Sequence, residues 1–178
     1  MPTTISFRVE GVPQPRGSKL PSLIPKRGGG WVKKGGRPIV VARDDNKKSK
    51  PWMGVVAAAA REAYQGELLH GPIRLKVAFF FPRIKGHYGS GKNASKLKAS
   101  APVRHTQKPD VDKLCRALLD SLTGVIWGDD RQICELYAAK YYDEQGGSAE
   151  VEIEEIEAGY YPVTHVVIPL PSPILEEQ

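Results

Sequence analysis

HTQKPDVDKLCRALLDSLTGVIWGDDRQI, residues 105–133, combines one short amphipathic helix with aspartates on both of its flanks. Leu114, Leu118 and Leu122 recur every four residues, which predicts a helix that buries this stripe. Gly124 is placed to end the helix. An apolar step and a tight turn then lead into a strand that runs to about Tyr142. The chain as a whole has a net charge of +6, so the concentration of aspartates around this helix needs an explanation.

The segments around this helix predict an α/β domain. Apolar side chains occupy every second position in three further stretches, which is the period of a strand: residues 5–9, residues 71–82 (GPIRLKVAFFFP) and residues 148–158 (SAEVEIEEIEA). An alanine-rich stretch that begins near Pro51 predicts a second helix over about residues 50–64. The order of elements predicts a single compact domain, with a mixed β-sheet, two main helices packed on it and long basic loops.

This domain is expected to span residues 1–157, and the apolar, proline-rich residues 158–178 form a tail. No run of about 18 apolar residues occurs, and the first residues lack the basic-then-apolar layout of a secretion signal. The sequence therefore predicts a soluble, cytoplasmic protein. Cys115 and Cys134 are expected to be reduced thiols in the core, because neither belongs to a metal-binding or disulfide pattern.

Positive charge is concentrated in two segments. Residues 14–50 contain eleven Lys and Arg against two Asp, a net charge of +9, and residues 83–108 contain seven Lys and Arg and no acid, a net charge of +7. The rest of the chain therefore carries −10. Such segregation indicates a polyanionic partner, nucleic acid first and an anionic membrane second, although two solvated flexible loops explain the charge equally well.

The first basic segment opens with PQPRGSKLPSLIPKRGGG (residues 13–30), in which Pro and Gly predict no regular structure. WVKKGGRPIVVA (residues 31–42) predicts a small hairpin that turns at Gly35 and Gly36. Trp31 is more typical of a hairpin face, but stacking on exposed bases is the alternative for Trp31 and for His87 with Tyr88. The second basic segment has neither periodicity nor core-forming residues, so it predicts a mobile loop that orders only on a partner.

The aspartates have a structural and a functional interpretation. Asp is a preferred N-cap and complements the helix dipole, which accounts for Asp112 but less well for Asp110, and not for Asp129 or Asp130. If the strand after Asp130 lies beside the extended stretch that carries Asp110, three carboxylates meet at one end of the sheet. Two such charges about 4 Å apart repel by roughly 4 kcal/mol at an effective dielectric constant of about 20, which a cation or protons must offset.

All-oxygen ligands select a hard cation, and Mg²⁺ is the usual one. A carboxylate-bound Mg²⁺ acidifies a water molecule and polarises a phosphoryl oxygen, so basic loops beside it suit phosphodiester hydrolysis. Arg116, one turn after Asp112, either forms a surface ion pair with that carboxylate or stabilises charge in the transition state.

The stretch KPDVDKLCRALLDSLTGVIWGDDRQI (residues 108–133) resembles the RusA family of Holliday junction resolvases. The family shows K-P-D-x-D-N, a helix with a lysine and a later aspartate, and then an apolar step with Trp and a D-D pair. GVPQPRGSK (residues 11–19) and the strand of residues 71–82 support the resemblance, which extends over residues 5 to about 157. Two positions depart from the family: Lys113 replaces the usual Asn, and Arg116 replaces the usual helix lysine. Arginine keeps the charge but is not a proton-transferring ammonium.

The resemblance implies a Mg²⁺-dependent homodimeric endodeoxyribonuclease that recognises four-way DNA junctions and makes paired symmetric nicks, with Mn²⁺ as a substitute ion. It implies catalytic and metal-binding roles for Asp110, Asp112 and Asp130, with Asp129 and Asp120 as accessory acids and Arg116 as a catalytic cation. The expected DNA-binding residues are Arg16, Lys19, Lys33, Lys34, Arg83, Lys85, Lys92, Lys96, Lys98, Arg104, Lys108 and Lys113.

Two other functions remain open at this point. A non-catalytic nucleic-acid-binding module fits if the acids only cap helices and form turns. A Mg²⁺-dependent enzyme of small phosphates fits the acids but leaves the charge of the basic loops unexplained, and it predicts a weak dependence of substrate affinity on salt.

Overall fold

The computed structural model describes residues 3–44, 46–157 and 159, without the side chains of residues 19, 20 and 42–44. Its strands and helices follow the chain in this order: β1 Thr4–Glu10, β2 Lys19–Leu23, β3 Lys33–Lys34, β4 Arg37–Pro38, β5 Val40–Asp44, α1 Ser49–Ala63, β6 Ile73–Pro82, α2 Val111–Leu122, β7 Ile133–Asp143 and β8 Ser148–Glu155.

A four-stranded sheet of order β1-β8-β6-β7 forms the centre of the domain. β6 pairs with β7 in parallel and with β8 antiparallel, and β8 pairs antiparallel with β1. This mixed sheet confirms the predicted α/β class. On β6 the side chains of Ile73, Leu75, Val77, Phe79 and Phe81 are buried while the intervening ones are partly exposed, so the alternation in the sequence identifies the face on which the core lies.

Both helices cover that face. α1 packs on α2 and β1, and α2 packs on α1 and, less extensively, on β7. The predicted stripe of Leu114, Leu118 and Leu122 is fully buried, as is Trp127 just beyond the helix. Gly124 adopts the left-handed conformation (φ 74°) after α2, where glycine carries no steric penalty. The helix therefore ends where the sequence predicts.

The opposite face of the sheet carries paired charges. Arg74 forms ion pairs with Glu135 on β7 and Glu154 on β8, and Lys76 pairs with Glu152. The guanidinium of Arg74 lowers the pKa of the Glu135 carboxyl, mainly through their hydrogen bond. These side chains are about one-third exposed, so each pair contributes at most about 1 kcal/mol. The hydrophobic core lies on the helix-covered side.

The first basic segment is more regular than its composition predicts. The hairpin at Gly35 and Gly36 is confirmed, with Lys33 opposite Pro38 and Lys34 opposite Arg37. The prediction of no regular structure over residues 13–30 is wrong for Lys19–Leu23, because β2 pairs antiparallel with β5. Pairing with a distant strand supplies the hydrogen bonds that local composition does not indicate.

The second basic segment contains two short 3₁₀ helices, Lys85–His87 and Gly91–Asn93. The prediction that it lacks core-forming residues is wrong, because His87 and His105 are buried. Both rings pack on Tyr142, with centroid distances of 4.5 and 4.7 Å, and His105 also stacks on Phe81 at 4.2 Å. Burial lowers the pKa of His105, and the nearby Lys140 lowers it further. Two histidines thus anchor this segment to the end of the sheet.

The cysteines differ in their surroundings. Cys115 is buried, as predicted, and burial raises the pKa of its thiol to about 11. Cys134 is exposed, so the prediction of a second core thiol is wrong. Within the described ranges, no helix combines the length and apolar character needed to cross a bilayer. Most of the predicted tail, namely residues 158 and 160–178, lies outside the described residues.

Candidate active site

A pocket of about 730 Å³ lies between α2 and β7. It forms on the helix-covered side of the sheet at its β7 edge, where Leu136 remains 45% exposed. Apolar side chains and a thiol form part of the wall, and three carboxylates and one guanidinium supply its charge. The lining residues are Val111, Asp112, Cys115, Arg116, Leu119, Asp120, Asp130, Leu136 and Ala138.

α2 presents Asp112, Arg116 and Asp120 to this pocket because residues four apart share one face of a helix. The opposite stripe of leucines is buried, which fixes the rotation of the helix. A second depression of about 380 Å³ is bounded by the same three residues together with Lys113 and the segment at residues 16–18. The two depressions therefore form one surface along α2.

The side chains of Asp112 and Arg116 form no hydrogen bond or ion pair with any residue that the structure describes, although the two residues lie one turn apart in α2. The helix begins at Val111 with Asp110 as its N-cap residue, and the Asp110 side chain makes no capping hydrogen bond. Capping therefore explains neither acid, and the interpretation of these acids as simple caps loses its main support. Asp112 retains a favourable position in the first turn relative to the helix dipole.

Asp110 is engaged outside the pocket. Its Oδ2 lies 2.9 Å from Nζ of Lys113, and this hydrogen bond is the main reason that the pKa of Asp110 is lowered. Lys113 is the residue that replaces the family's usual Asn. Asp110 is not among the residues that line the pocket beside Asp112 and Asp130.

Asp130 is held in a defined orientation. Its Oδ1 accepts a hydrogen bond from the indole Nε1 of Trp127 at 3.0 Å and another from the hydroxyl of Thr123. Trp127 is fully buried, so one donor is fixed by the core. Sequence reasoning missed Thr123 and Trp127 as positioning residues. In the sequence, only their positions seven and three residues before Asp130 connect them with that aspartate. These spacings predict a contact only when the geometry of the turn is known.

Asp129 has a structural role. It caps the 3₁₀ helix Asp130–Gln132, because its side chain accepts from the backbone N–H of Arg131 at 2.9 Å, and Gln132 completes the capping box. Its carboxylate also lies 3.0 Å from the Arg131 guanidinium, which lowers the pKa of Asp129. Asp130, rather than Asp129, therefore lines the pocket.

Residues 103–105, before α2, run beside residues 140–142 of β7, at the end of that strand away from Asp130. The backbone N–H of His105 donates to the carbonyl of Lys140 at 3.0 Å, and that of Tyr142 donates to the carbonyl of Val103 at 2.8 Å. Nζ of Lys140 then donates to the carbonyls of Gln107 and Pro109 at 2.8 and 2.6 Å. Lys140, which the sequence gave no reason to select, thus fixes the backbone that immediately precedes Asp110.

Over the described ranges, no group of three or more His, Cys, Asp or Glu side chains is close enough to hold one metal ion. The predicted meeting of three carboxylates is thus not present in this arrangement, in which Asp110 pairs with Lys113 instead. The donor chemistry still fits a hard cation, since Asp112 and Asp130 contribute carboxylate oxygens to one open pocket. One or two carboxylates together with substrate phosphates are sufficient ligands for Mg²⁺.

The expected DNA-binding residues differ in their availability. Lys33, Lys34, Lys85, Lys92, Lys96 and Lys108 are exposed. Arg104 is exposed beside Tyr141, and Lys98 donates to the carbonyl of Gly86. The side chain of Lys19 lies outside the described residues.

Arg16 and Arg83 use their side chains to bind other parts of the protein. Nε of Arg16 pairs with Asp120 at 3.0 Å and its backbone N–H donates to the carbonyl of Lys113, so Arg16 attaches the first basic segment to α2. The side chain of Arg83 is only 8% exposed and donates to the carbonyl of Pro102. His87 is buried, so the prediction that it stacks on a base is wrong, whereas Tyr88 is partly exposed.

Comparison with known proteins assigns the family. The family model described as endodeoxyribonuclease RusA matches residues 24–154, which include both helices, β6, β7 and nearly all of β8. This chain belongs to the RusA endodeoxyribonuclease family. It is also 32% identical over 114 residues to the uncharacterized protein YqaN of Bacillus subtilis (strain 168), a match that covers 64% of this chain and 79% of that protein.

RusA-family membership makes the protein an endodeoxyribonuclease, of a family that binds junction DNA and whose resolvases are metal-dependent. It confirms the resemblance drawn from residues 108–133 and the expected fold. The match also contains the pocket, since all nine lining residues fall within residues 24–154.

Proposed function

We propose that this RusA-family chain is a Mg²⁺-dependent, structure-selective endonuclease that resolves four-way DNA junctions by paired symmetric nicks. One observation carries the proposal. The side chains of Asp112 and Arg116 form no ion pair or hydrogen bond with other described residues, and they share a pocket with Asp130, whose orientation is fixed by Trp127 and Thr123. Because the exposed carboxylate of Asp112 and the exposed guanidinium of Arg116 do not pair with each other, the carboxylate is available to a cation and the guanidinium to a phosphate.

In this proposal Asp112 and Asp130 hold the metal ion, and Asp110 joins them when Lys113 releases it. When bound, Mg²⁺ supplies an acidified water molecule and polarises a phosphoryl oxygen. Trp127 and Thr123 orient the Asp130 carboxylate through hydrogen bonds. Both donors are neutral, so they leave its negative charge uncompensated. Mn²⁺, which also prefers oxygen ligands, is expected to substitute.

Arg116 has the role of binding the scissile phosphate and stabilising the charge that develops on its oxygens. It lines both depressions along α2, so a phosphate bound there lies between the carboxylates and the Arg16 segment. The guanidinium cannot be deprotonated near neutral pH. Arg116 therefore acts electrostatically and not as a general acid.

The basic segments have the role of holding DNA on either side of this pocket. The first segment joins the pocket through Arg16, and the second leads directly into α2 at Asp110. Neutralising phosphates with lysines and arginines releases counterions, so binding falls steeply with salt. An enzyme of small phosphates lacks this steep dependence.

We also propose a homodimer, because paired symmetric nicks in a nearly two-fold junction require two identical sites. Light scattering during size-exclusion chromatography tests it directly, and a mass near twice 19.6 kDa is expected. A monomer that cuts both strands with equal efficiency contradicts the dimer without affecting the assignment of the active site.

The decisive experiment compares cleavage of a synthetic four-way junction with cleavage of linear duplexes of the same sequences, in Mg²⁺ and in EDTA. Paired nicks in the junction alone, dependent on Mg²⁺ and lost in Asp112→Asn while junction binding persists, are expected. Glu62→Gln is a matched control, because it removes one exposed carboxylate of α1 that does not line the pocket. Its cleavage rate should equal that of the wild type.

Other outcomes separate the alternatives. Junction binding without cleavage in any divalent ion identifies a non-catalytic binding module. Equal cleavage of junction and duplex contradicts structure selectivity while keeping the nuclease activity.

A further inference from the structure

The stretch from β2 to β5 forms a β-arm, which we define as residues 19–44. Its base is the antiparallel pair β2 and β5, and its far end is the hairpin of β3 and β4. Backbone hydrogen bonds connect the two parts, since Val32 donates to Ile24 and Ile39 donates to Val32, and Pro25 forms a bridge with Trp31. The arm is therefore a continuous hydrogen-bonded structure.

This β-arm has almost no share in the core. Between residues 21 and 41 no side chain is buried, and none of these residues belongs to the hydrophobic core cluster. Its strands pack extensively only on each other, not on α1, α2 or the four-stranded sheet. Isolated two-stranded ribbons are marginally stable in water, so an arm of this kind is typical of a segment that gains contacts from a partner.

The charge of the β-arm identifies the kind of partner. Residues 21–41 contain Lys26, Arg27, Lys33, Lys34 and Arg37 and no acid. All five are exposed, and none forms an ion pair with a described residue. Five uncompensated cations on one small element favour a polyanion.

Trp31 adds an aromatic ring to this cationic surface. It is 48% exposed, whereas Trp52 and Trp127 are 5% and 0% exposed. Because side chains alternate along a strand, Trp31 and Lys33 lie on one face and Val32 and Lys34 on the other. Trp31 is not among the half-buried apolar residues of the arm, which are Leu23, Ile24, Val32, Ile39 and Val41. The arm's own packing therefore does not account for an exposed tryptophan.

We propose that the β-arm is a DNA-contacting element in which Trp31 stacks on an unstacked base at the branch point, while Lys33 on the same face and Lys34 and Arg37 on the opposite face bind phosphates of the surrounding strands. The proposal rests on the proposed function, because a branched substrate supplies bases whose faces are open. Stacking on an aromatic ring is tolerant of sequence, as recognition of a branch by shape requires. Lys34 and Arg37 are cross-strand partners and so present their charges side by side.

Trp31 provides its own spectroscopic probe, because it is the exposed tryptophan of the three in the chain. The full-length Asp112→Asn protein in EDTA is titrated with a four-way junction, and quenching of tryptophan fluorescence by acrylamide is measured. Junction DNA is expected to protect the quenchable fraction, and linear duplex to protect it much less. No protection by the junction overturns the stacking proposal.

Affinity measurements on the same background test the two parts of the proposal separately. Trp31→Ala is expected to weaken junction binding by about tenfold and duplex binding by less than about twofold, and Trp31→Phe to restore most of the affinity. Equal weakening for junction and duplex contradicts stacking at the branch. Replacing Lys33, Lys34 and Arg37 by Gln is expected to reduce the salt dependence of log K by up to about 2.7, at about 0.9 per phosphate contact.

Controls distinguish this inference from its alternatives. Trp31→Ala should unfold at the wild-type temperature, because Trp31 lies outside the core. If the variants lose binding to anionic phosphatidylglycerol vesicles but keep their DNA affinity, the arm is a membrane element and the proposal is overturned. All of these assays measure binding in EDTA, so a failure of cleavage refutes the proposed function without changing the result for the arm.

Discussion

Two acidic segments meet at the pocket: residues 110–116 at the start of α2 and residues 129–132 before β7. Each segment uses its two aspartates in two different ways. In each, one aspartate pairs with a basic residue close in sequence: Asp110 with Lys113 at 2.9 Å, and Asp129 with Arg131 at 3.0 Å. The other aspartate of each pair lines the pocket. Position in the fold, more than spacing along the chain, separates the aspartates held in ion pairs from those that line the pocket.

The two segments also differ in how they hold the aspartate that lines the pocket. The Asp130 carboxylate accepts hydrogen bonds from Trp127 and Thr123, whereas the Asp112 carboxylate has no hydrogen-bond or ion-pair partner among the described residues. One carboxylate is oriented before any ligand arrives. In the proposed function, the other gains a fixed position only when a cation or substrate binds.

The largest expected effect is the loss of cleavage when an aspartate of the pocket is neutralised. Asp112→Asn and Asp130→Asn should each lower the junction cleavage rate by at least about 1,000-fold, because each removes charge stabilisation worth several kcal/mol. Asp129→Asn is the matched control and should retain most activity, with a stability loss of about 1 kcal/mol or less from its cap. Equal loss in all three variants breaks the comparison between structural and functional acids.

A smaller effect is expected at Arg116. Arg116→Ala should lower the cleavage rate by about 100- to 1,000-fold with little change in junction affinity, because the lost contact forms mainly in the transition state. Arg116→Lys restores the residue that is usual in the family and should recover most of that loss. Unchanged cleavage by Arg116→Ala assigns this cation to the protein surface.

The oriented end of the pocket is tested by removing its two hydrogen-bond donors. Trp127→Phe and Thr123→Val keep most of the packing volume but free the Asp130 carboxylate. Each should raise the Mg²⁺ concentration required for half-maximal cleavage by about 10-fold, the lower end of the range for outer-shell partners. Unfolding temperature and junction affinity in EDTA serve as controls, since general structural damage alters both. An unchanged Mg²⁺ requirement removes Trp127 and Thr123 from the site.

The smallest effects distinguish the two engaged acids. Lys113→Asn and Arg131→Gln each remove a cation, so the pKa of Asp110 or Asp129, lowered in the wild type, should rise towards its ordinary value. A carboxyl group whose pKa is lower in the folded than in the unfolded protein stabilises the fold at pH values above its unfolded pKa, near 4. This stabilisation is lost as the pH falls through the folded pKa. Carboxyl ¹³C NMR titration measures both pKa values.

Only one of these two variants is expected to affect metal binding. Lys113→Asn releases Asp110 beside Asp112 and should lower the Mg²⁺ requirement severalfold, whereas Arg131→Gln should leave it unchanged. The same change in both variants contradicts a ligand role for Asp110.

The sequence by itself determined the local elements and the family. Alternation over residues 73–81 and the leucine stripe of α2 specify a strand and a helix, because burial of one face imposes a period of two or 3.6 residues. The motif at residues 108–133 was sufficient to indicate the RusA family. These features depend on residues close together in the chain.

Only the tertiary structure decided which neighbours each side chain meets. Pairing of β2 with β5, burial of His87 and His105, and the selection of Asp130 over Asp129 for the pocket all depend on contacts between distant segments or on turn geometry. The hydrogen bond that Trp127 donates to Asp130 is set by the position of a side chain buried in the core. A periodic pattern reports which face is buried, but it does not report what lies opposite that face.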